Sequence, residues 1–276
     1  MRLEFERVVA QALAEDIGAG DVTSATVIPE ALRFSGVMAS RQPMVVAGLP
    51  GAEAAFRALV PDLVWRPRVQ DGDQVAEGAV IAEVAGSARG LLSAERVALN
   101  LLQHLSGIAT LTRAYVQAIE GCGAQLLDTR KTVPGLRLLA KYATRMGGAR
   151  NHRMGLFDAV LIKDNHIAVC GGVAEAVRRA RAGWDGVVEV ECDTLAQVAE
   201  ALAAGADILL LDNMTPAVLR EAVALAKGRA RTEASGGVTL DTIRAIAETG
   251  VDFVSVGRIT QSAPAVDIGL DWAAET

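Results

Sequence analysis

The stretch VVEVECDTLAQVAEALAAGADILLLDNMTPAVLREAVALAKG, residues 187–228, decides the fold. It holds two short apolar runs, VVEVEC (187–192) and ILLLDN (208–213), each ending in polar residues and each followed by an amphipathic stretch. Thr194 and Thr215 open those stretches as N-caps, and Gly205 and Gly228 follow their ends. A strand–helix–strand order of this kind needs a crossover and therefore a parallel sheet.

The same grammar continues in both directions. Upstream lie LLDTR (126–130) and AVLIKD (159–164); downstream lie RTEASGG (231–237) and FVSVG (253–257). Helical patterns fill the gaps at 172–183 and 239–250. Six strands alternating with helices predict an α/β barrel, closed or nearly closed, of about six parallel strands. The runs end in charged residues, and neither G-x-G-x-x-G nor a Walker sequence occurs, so a barrel fits better than an open dinucleotide-binding sheet.

The first ~110 residues read differently, as an α/β sandwich-like domain. An acidic helical start (3–16) leads to the turn GAGD (18–21), then to short alternating strands with DGDQVAEGAVIAEVAG (71–86) rich in turn signals. A helix follows over 93–112, with Val97, Leu101, Leu105 and Ile108 at helical spacing. The expected domains are 1–107 and 108–276. Segment 71–86 resembles the strands of lipoyl and biotinyl carrier domains, but a carrier needs a hairpin lysine and the first lysine of the chain is Lys131.

Composition narrows the class. The chain is 51% hydrophobic but only 4% aromatic, so its core is aliphatic. The amino terminus lacks a signal-peptide pattern, no apolar run is long enough to span a membrane, and the compartment expected is the cytoplasm. Three widely spaced cysteines, Cys122, Cys170 and Cys192, argue against a disulfide framework or a zinc site. A net charge of −6 disfavours nucleic acid. Yet residues 126–166 carry eight Lys/Arg against three Asp/Glu, a basic island suited to a small anion.

Side chains alternate along a strand. One face of the six runs carries Asp128 and Arg130, Lys163, Glu189 and Glu191, Asp212, Glu233 and Ser235, and Gly257; the other carries Leu127, Ile162, Val190 and Leu211. In a barrel the charged set points inward, toward the carboxyl-terminal mouth where barrel enzymes keep their chemistry. A self-satisfied salt network explains one such charge better than it explains charges on four or five successive strands. Arg130–Lys131 and His152–Arg153 flank the ring; arginine forks suit carboxylates, and a lysine suits phosphate as a point charge. Ser235-Gly236-Gly237 and Gly257 precede helix starts, where backbone N–H groups approach a phosphate.

The run DTRKTVPGLRLLAKYATRMGGARNHRMGLFDAVLIKDNHI (128–167) resembles the signature region of quinolinate phosphoribosyltransferases. The resemblance extends to EDIGAGDVT (15–23), SAERVALNLLQHLSGIAT (93–110), VEVEC (188–192), LLLDNM (209–214), EASGGV (233–238) and SAPAVDIGLDW (262–272). It implies transfer of phosphoribosyl from phosphoribosyl pyrophosphate to quinolinate, with loss of pyrophosphate and carbon dioxide, giving nicotinate mononucleotide for NAD biosynthesis. It further implies that Arg130, His152, Arg153 and Lys163 hold quinolinate. By the same resemblance Arg96, from a neighbouring subunit of a homodimer or larger homo-oligomer, would reach the same site. Lys131, Glu191 and Asp212 would face phosphoribosyl pyrophosphate and its Mg²⁺, while Ser235, Gly236, Gly237 and Gly257 would cradle the 5′-phosphate. Lys131, Lys163, Glu191 and Asp212 are the expected catalytic set. After the late-strand glycine the chain reads Arg258 and Gln261, where relatives carry a small residue and a histidine.

Two rivals share these residues. One is a related phosphoribosyltransferase acting on another base, against which the intact TRKTVPG, NHRMGL and KDNH runs argue. The other is a Schiff-base aldolase using Lys163, whose inward carboxylates instead favour the ammonium form. A scaffold without catalysis leaves the inward charges unexplained.

Overall fold

The computed structural model describes residues 1–272. In chain order it opens with α1 (Arg2–Ile17), α2 (Val22–Val27), β1 (Arg33–Ser40), β2 (Met44–Val45), α3 (Leu49–Leu59), β3 (Val64–Pro67), β4 (Gln74–Val75), β5 (Val80–Ser87) and the long α4 (Ala88–Ala118). Then come β6 (Gln125–Leu127), α5 (Arg137–Gly147), β7 (Val160–Ile162), α6 (Asp164–Cys170), α7 (Val173–Gly183), β8 (Val188–Cys192), α8 (Leu195–Ala204) and β9 (Ile208–Asp212). The remainder is α9 (Pro216–Ala226), β10 (Arg231–Ser235), α10 (Leu240–Ala247), β11 (Phe253–Ser255), α11 (Arg258–Gln261) and β12 (Ile268–Trp272). The chain divides into two compact units. One comprises Met1–Arg113, Val133–Gly148 and the residues from Ile259 onward; the other comprises Ala114–Thr132 and Ala149–Arg258. Among the described residues no helix is long and apolar enough to cross a membrane.

The first unit is built on an antiparallel sheet in the order β12-β1-β5-β3. Its helices follow from apolar spacing: α1 buries Phe5, Val8, Val9 and Leu13, and α4 buries Val97, Leu101, Leu105 and Ile108. Strand β12 pairs with β1, Ile268 opposite Ser40 and Trp272 opposite Gly36. The segment before it explains a glycine in the middle of α4. A Cβ on Gly107 would stand 2.1 Å from the Pro264 carbonyl oxygen, so only a glycine lets the backbone of 264–265 lie against the helix.

The second unit carries the six parallel strands that the sequence predicts, in the order β6-β11-β10-β9-β8-β7. The expected caps form. Thr194 makes a capping box with Gln197, Thr215 accepts from the Val218 amide, and Thr239 closes a box with Thr242. Strands β6 and β7 are the edges of the ladder, and Leu127 makes an isolated parallel bridge to Arg150 beside β6. A flat sheet would hold those edges about 24 Å apart, five strand spacings. Instead, residues from all six strands line one cavity of about 370 Å³, so the sheet wraps into a nearly closed barrel.

Register confirms the inward charges. Glu191 pairs with Leu210, Leu210 with Glu233, and Glu233 with Phe253; one turn of the pleat further on, Asp212 pairs with Ser235. Paired residues in adjacent strands share a face. At β6 the alternation departs from expectation. Leu127 pairs with Ser255, which shares the face of Phe253, so Leu127 and not Asp128 points inward from the strand. The strand ends at Leu127, and Asp128 is buried by the loop that turns over it.

Replacing Gly107 by Ala reads out the packing of α4. In an open helix this change stabilises by roughly 1 kcal/mol. Here the contact with the Pro264 carbonyl reverses the sign, and a net loss of about 1–3 kcal/mol is expected in urea denaturation, with faster amide exchange in Ile268–Trp272.

Candidate active site

At the carboxyl ends of the strands, the chain assembles a ring of acids and a lysine. Lys163 directly follows β7, and its backbone N–H donates to Nδ1 of His166 in the first turn of α6 (2.9 Å), which fixes the residue at the strand end. Its ammonium contacts the Glu191 carboxylate from β8. Asp212 ends β9, and Glu191, Asp193 and Asp212 each offer a carboxylate oxygen, all within 4.8 Å of one another. Asp193, one residue past β8, escapes the alternation rule because it lies beyond the strand; its signal is only its place next to a strand-end acid.

The neighbouring turns are shaped by two unusual backbones. Asn213 has a positive φ of 53°, and its amide donates to the Ser235 carbonyl at 2.9 Å. Gly236 has φ 91°, and a Cβ there would meet Asn213 Oδ1 at 2.2 Å. The β9 and β10 turns are thus keyed together, with Asp212 and Ser235 side by side at the strand ends. Gly237 follows, also at positive φ, and α10 starts after the Thr239 cap. Gly257 lies between β11 and α11, and Arg258 beside it is exposed.

On the opposite edge of the ladder, Arg130, His152 and Arg153 are brought together by Asp128. This buried carboxylate accepts from the Asn151 side chain (2.6 Å) and the His152 backbone amide (2.9 Å). Asp158 then closes the following loop by accepting from the Met154 and Gly155 amides. Arg130 Nε is buried and has no hydrogen-bond partner. Burial, with Arg130 close by, lowers the Arg153 guanidinium from its usual range. Two guanidiniums near enough to repel, one with an unsatisfied donor, form a place for an anion. Lys131 is exposed at the same strand end.

His152 turns the other way. Its Nε2 lies 3.0 Å from Glu189 Oε2 and 3.5 Å from Glu233 Oε2, inside the sheet. Burial alone would push this imidazolium down, but bonds to and charges on Glu189 and Glu233 outweigh it and raise it to about 10. His152 and Arg153 line the 370 Å³ cavity with Glu189, Glu233, Arg150 and Arg231, and with Val160, Ile208 and Phe253, the first residues of β7, β9 and β11. The cavity therefore takes in the first residues of those strands, and Lys163 and Asp212 are not among its lining residues.

Arg96 lies on α4 in the first unit, its side chain 67% exposed and 4.0 Å from the Glu95 carboxylate. All other predicted site residues belong to the second unit.

Two family models cover the chain: "Quinolinate phosphoribosyl transferase, N-terminal domain" over residues 21–106 and "Quinolinate phosphoribosyl transferase, C-terminal domain" over 108–271. A probable nicotinate-nucleotide pyrophosphorylase (carboxylating) of Bacillus subtilis is 43% identical, covering 98% of this chain and 93% of its own. The nicotinate-nucleotide pyrophosphorylase (carboxylating) of Mycobacterium leprae is 44% identical, covering 95% of each chain. The solved nicotinate-nucleotide pyrophosphorylase of Francisella tularensis superposes with a TM-score of 0.95 at 41% identity, covering 99% of this chain and 97% of that one.

The keyed turn makes a direct prediction. Gly236→Ala forces a Cβ onto both a left-handed backbone and the Asn213 side chain. A loss of about 1–3 kcal/mol in urea denaturation is expected. Asn213→Ala in the same chain should restore only part of it, because the Asn213 backbone nitrogen also stands 2.8 Å from the new Cβ.

Proposed function

We propose, from the premise that this chain belongs to the quinolinate phosphoribosyltransferase family, that the charges at its strand ends divide the reaction between them. The enzyme is a pentosyltransferase that makes nicotinate mononucleotide, pyrophosphate and carbon dioxide from quinolinate and phosphoribosyl pyrophosphate, in NAD biosynthesis. The observation that carries the division of roles is Arg130: a half-buried arginine whose buried Nε has no hydrogen-bond partner, set near a second guanidinium, Arg153. That pair suits a dicarboxylate, and Lys163 and His152 add positive charge around it.

Lys131, Glu191 and Asp212 serve the other substrate. The donor set Glu191, Asp193 and Asp212 consists of hard carboxylate oxygens with no sulfur or imidazole, which fits Mg²⁺. Glu191 and Asp212 would hold the ion, directly or through water and phosphate. When bound, it neutralises charge on the pyrophosphate leaving group. Lys131 supplies a further positive charge to that group. Ser235, Gly236, Gly237 and the start of α10 offer backbone N–H groups to the 5′-phosphate, with Gly257 on the next strand. Glu191 and Asp212 also stabilise the positive charge that develops at the anomeric carbon.

Bond making is then simple. The pyridine nitrogen attacks the anomeric carbon as its bond to pyrophosphate breaks, and pyrophosphate leaves with the electron pair. The pyridinium so formed accepts the electrons of the adjacent carbon–carboxylate bond, carbon dioxide departs, and a proton takes its place on the ring. Arg130, Arg153 and Lys163 orient that carboxylate. Lys163 meets Glu191 as an ammonium, which suits a charge and not a Schiff-base nucleophile.

The reading also includes a homodimer with shared sites, Arg96 of each subunit serving its neighbour. It includes the cytoplasm as compartment, which the three free cysteines suit.

The decisive assay is pyrophosphate release with quinolinate, nicotinate and nicotinamide side by side, with and without Mg²⁺. Release with quinolinate alone, abolished by excess chelator and restored by Mg²⁺, is expected. Full activity in chelator would remove the metal from the scheme.

Subunit sharing has its own test. Arg96→Ala and Arg153→Ala should each be nearly inactive, because every site lacks one donor. In a mixed dimer both defects fall in one site and the other is intact. Equal amounts under random exchange should recover about a quarter of wild-type activity by symmetry. Verified exchange with no recovery means that Arg96 does not serve a neighbour's site.

A further inference from the structure

Glu189 and Glu233 are spent on none of the roles above, and their burial is costly. They are 4% and 1% exposed, on β8 and β10, and both point into the sheet interior. Glu189 Oε1 makes no hydrogen bond, and Glu233 Oε2 has only the 3.5 Å approach of His152 Nε2. Two carboxylates side by side in a low-dielectric interior repel each other and lose solvation, and a leucine in either place would pack without that cost. The group that faces both is His152, through Nε2.

The surroundings of His152 show what those carboxylates work against. From its own loop come Arg150, Arg153 and Asp158, and from the end of β6 come Asp128, bonded to its backbone amide, and Arg130. From β8 comes Glu189, and from β10 come Glu233 and Arg231, whose guanidinium lies over the Phe253 ring at 5.2 Å. Strands β7, β9 and β11 contribute only the apolar Val160, Ile208 and Phe253 to the same cavity. An imidazole buried as His152 is would lose its proton unless held by opposite charge.

We infer that Glu233 and Glu189 are positioning residues that fix the ring of His152 and keep it cationic, so that it meets a dianionic substrate as a charge and not as a neutral donor. This rests on the proposed place of His152 in the quinolinate site. The carboxylates act through His152 and touch no substrate themselves. A neutral imidazole offers a dianion no net charge, whereas an imidazolium attracts it through its charge.

The chain has three histidines, His104, His152 and His166, so imidazole signals in NMR are few, and His152→Asn identifies the relevant one. In the free wild-type enzyme the His152 signal should stay that of an imidazolium as pH rises through 8. In Glu233→Gln its pKa should fall by roughly one to three units, and in Glu189→Gln/Glu233→Gln further. Glu233→Asp, which restores the charge, should recover much of the shift. For quinolinate, KM in Glu233→Gln should match wild type below the lowered pKa. Above it, KM should rise toward about tenfold per pH unit, with the phosphoribosyl pyrophosphate KM unmoved.

A wild-type His152 titrating near 6.5, or one that does not move in Glu233→Gln, overturns the inference. So does a tight stoichiometric divalent ion lost in Glu233→Gln, which would make the triad a metal site. A shifted His152 with an unchanged quinolinate KM profile overturns the positioning role. Wild-type turnover of quinolinate in the same buffers tests the functional reading separately.

Discussion

A charge inside a folded chain persists only beside its opposite, and the second unit of this protein is arranged around that constraint. Parallel strands of three to five residues bring acids to the inner face at Glu189, Glu191, Asp212 and Glu233. They are answered in different ways. Glu191 meets Lys163, and Glu189 and Glu233 meet His152. Glu191, Asp193 and Asp212 crowd together with one ammonium among them, the arrangement in which a divalent cation or a polyphosphate-bound cation relieves repulsion. The cations are just as uneven: Arg130 keeps an unsatisfied buried donor. A network meant only for stability would close these contacts, since partial satisfaction is worse than an apolar core.

The fold was legible because the signals that specify it are local. Six apolar runs at regular spacing gave the strands; Thr194, Thr215 and Thr239 gave the helix starts; and all appear as expected. The four apolar positions of α4 gave its buried stripe, although the helix runs Ala88–Ala118, beyond the 93–112 that spacing alone supports. What spacing could not give was phase at a strand end. Leu127 and Asp128 exchange roles because β6 stops after three residues, and a turn then follows no alternation. Gly107 reads as a mild helix breaker until a segment over 150 residues away is found against it.

The site was legible to a different degree. Charges on regular strands could be placed by counting, so Glu191, Asp212 and Glu233 were found from the residues themselves. Residues whose place depends on loop closure could be named but not located. His152 and Arg153 fall where Asp128 and Asp158 pull the 151–158 loop, through bonds to backbone amides that leave no trace in composition or period. Asn213 is hidden for the same reason: its left-handed backbone matters only because Gly236 lies opposite. Arg96, on a regular helix, carries no local mark at all, and only family resemblance points to it.

The strand register explains why one short sheet can hold two kinds of chemistry. Three inward layers stack along it: Glu189 with Ile208 and Arg231, then Glu191 with Leu210, Glu233 and Phe253, then Asp212 with Ser235. The outermost layer lies at the strand ends, beside the Asn213–Gly236 turn, where Asp212 and Ser235 are only half-buried. In the inner layers the Glu189 and Glu233 carboxylates are buried and hold their charges against a histidine. Electrostatic terms weaken with solvent and strengthen with burial. The middle layer is therefore where one sheet position does double work: Glu191 reaches outward to Lys163 and the acid cluster, and Glu233 reaches inward to His152. Both side chains sit opposite Leu210, so the apolar residue between them separates a charge pair that solvent reaches from a buried one.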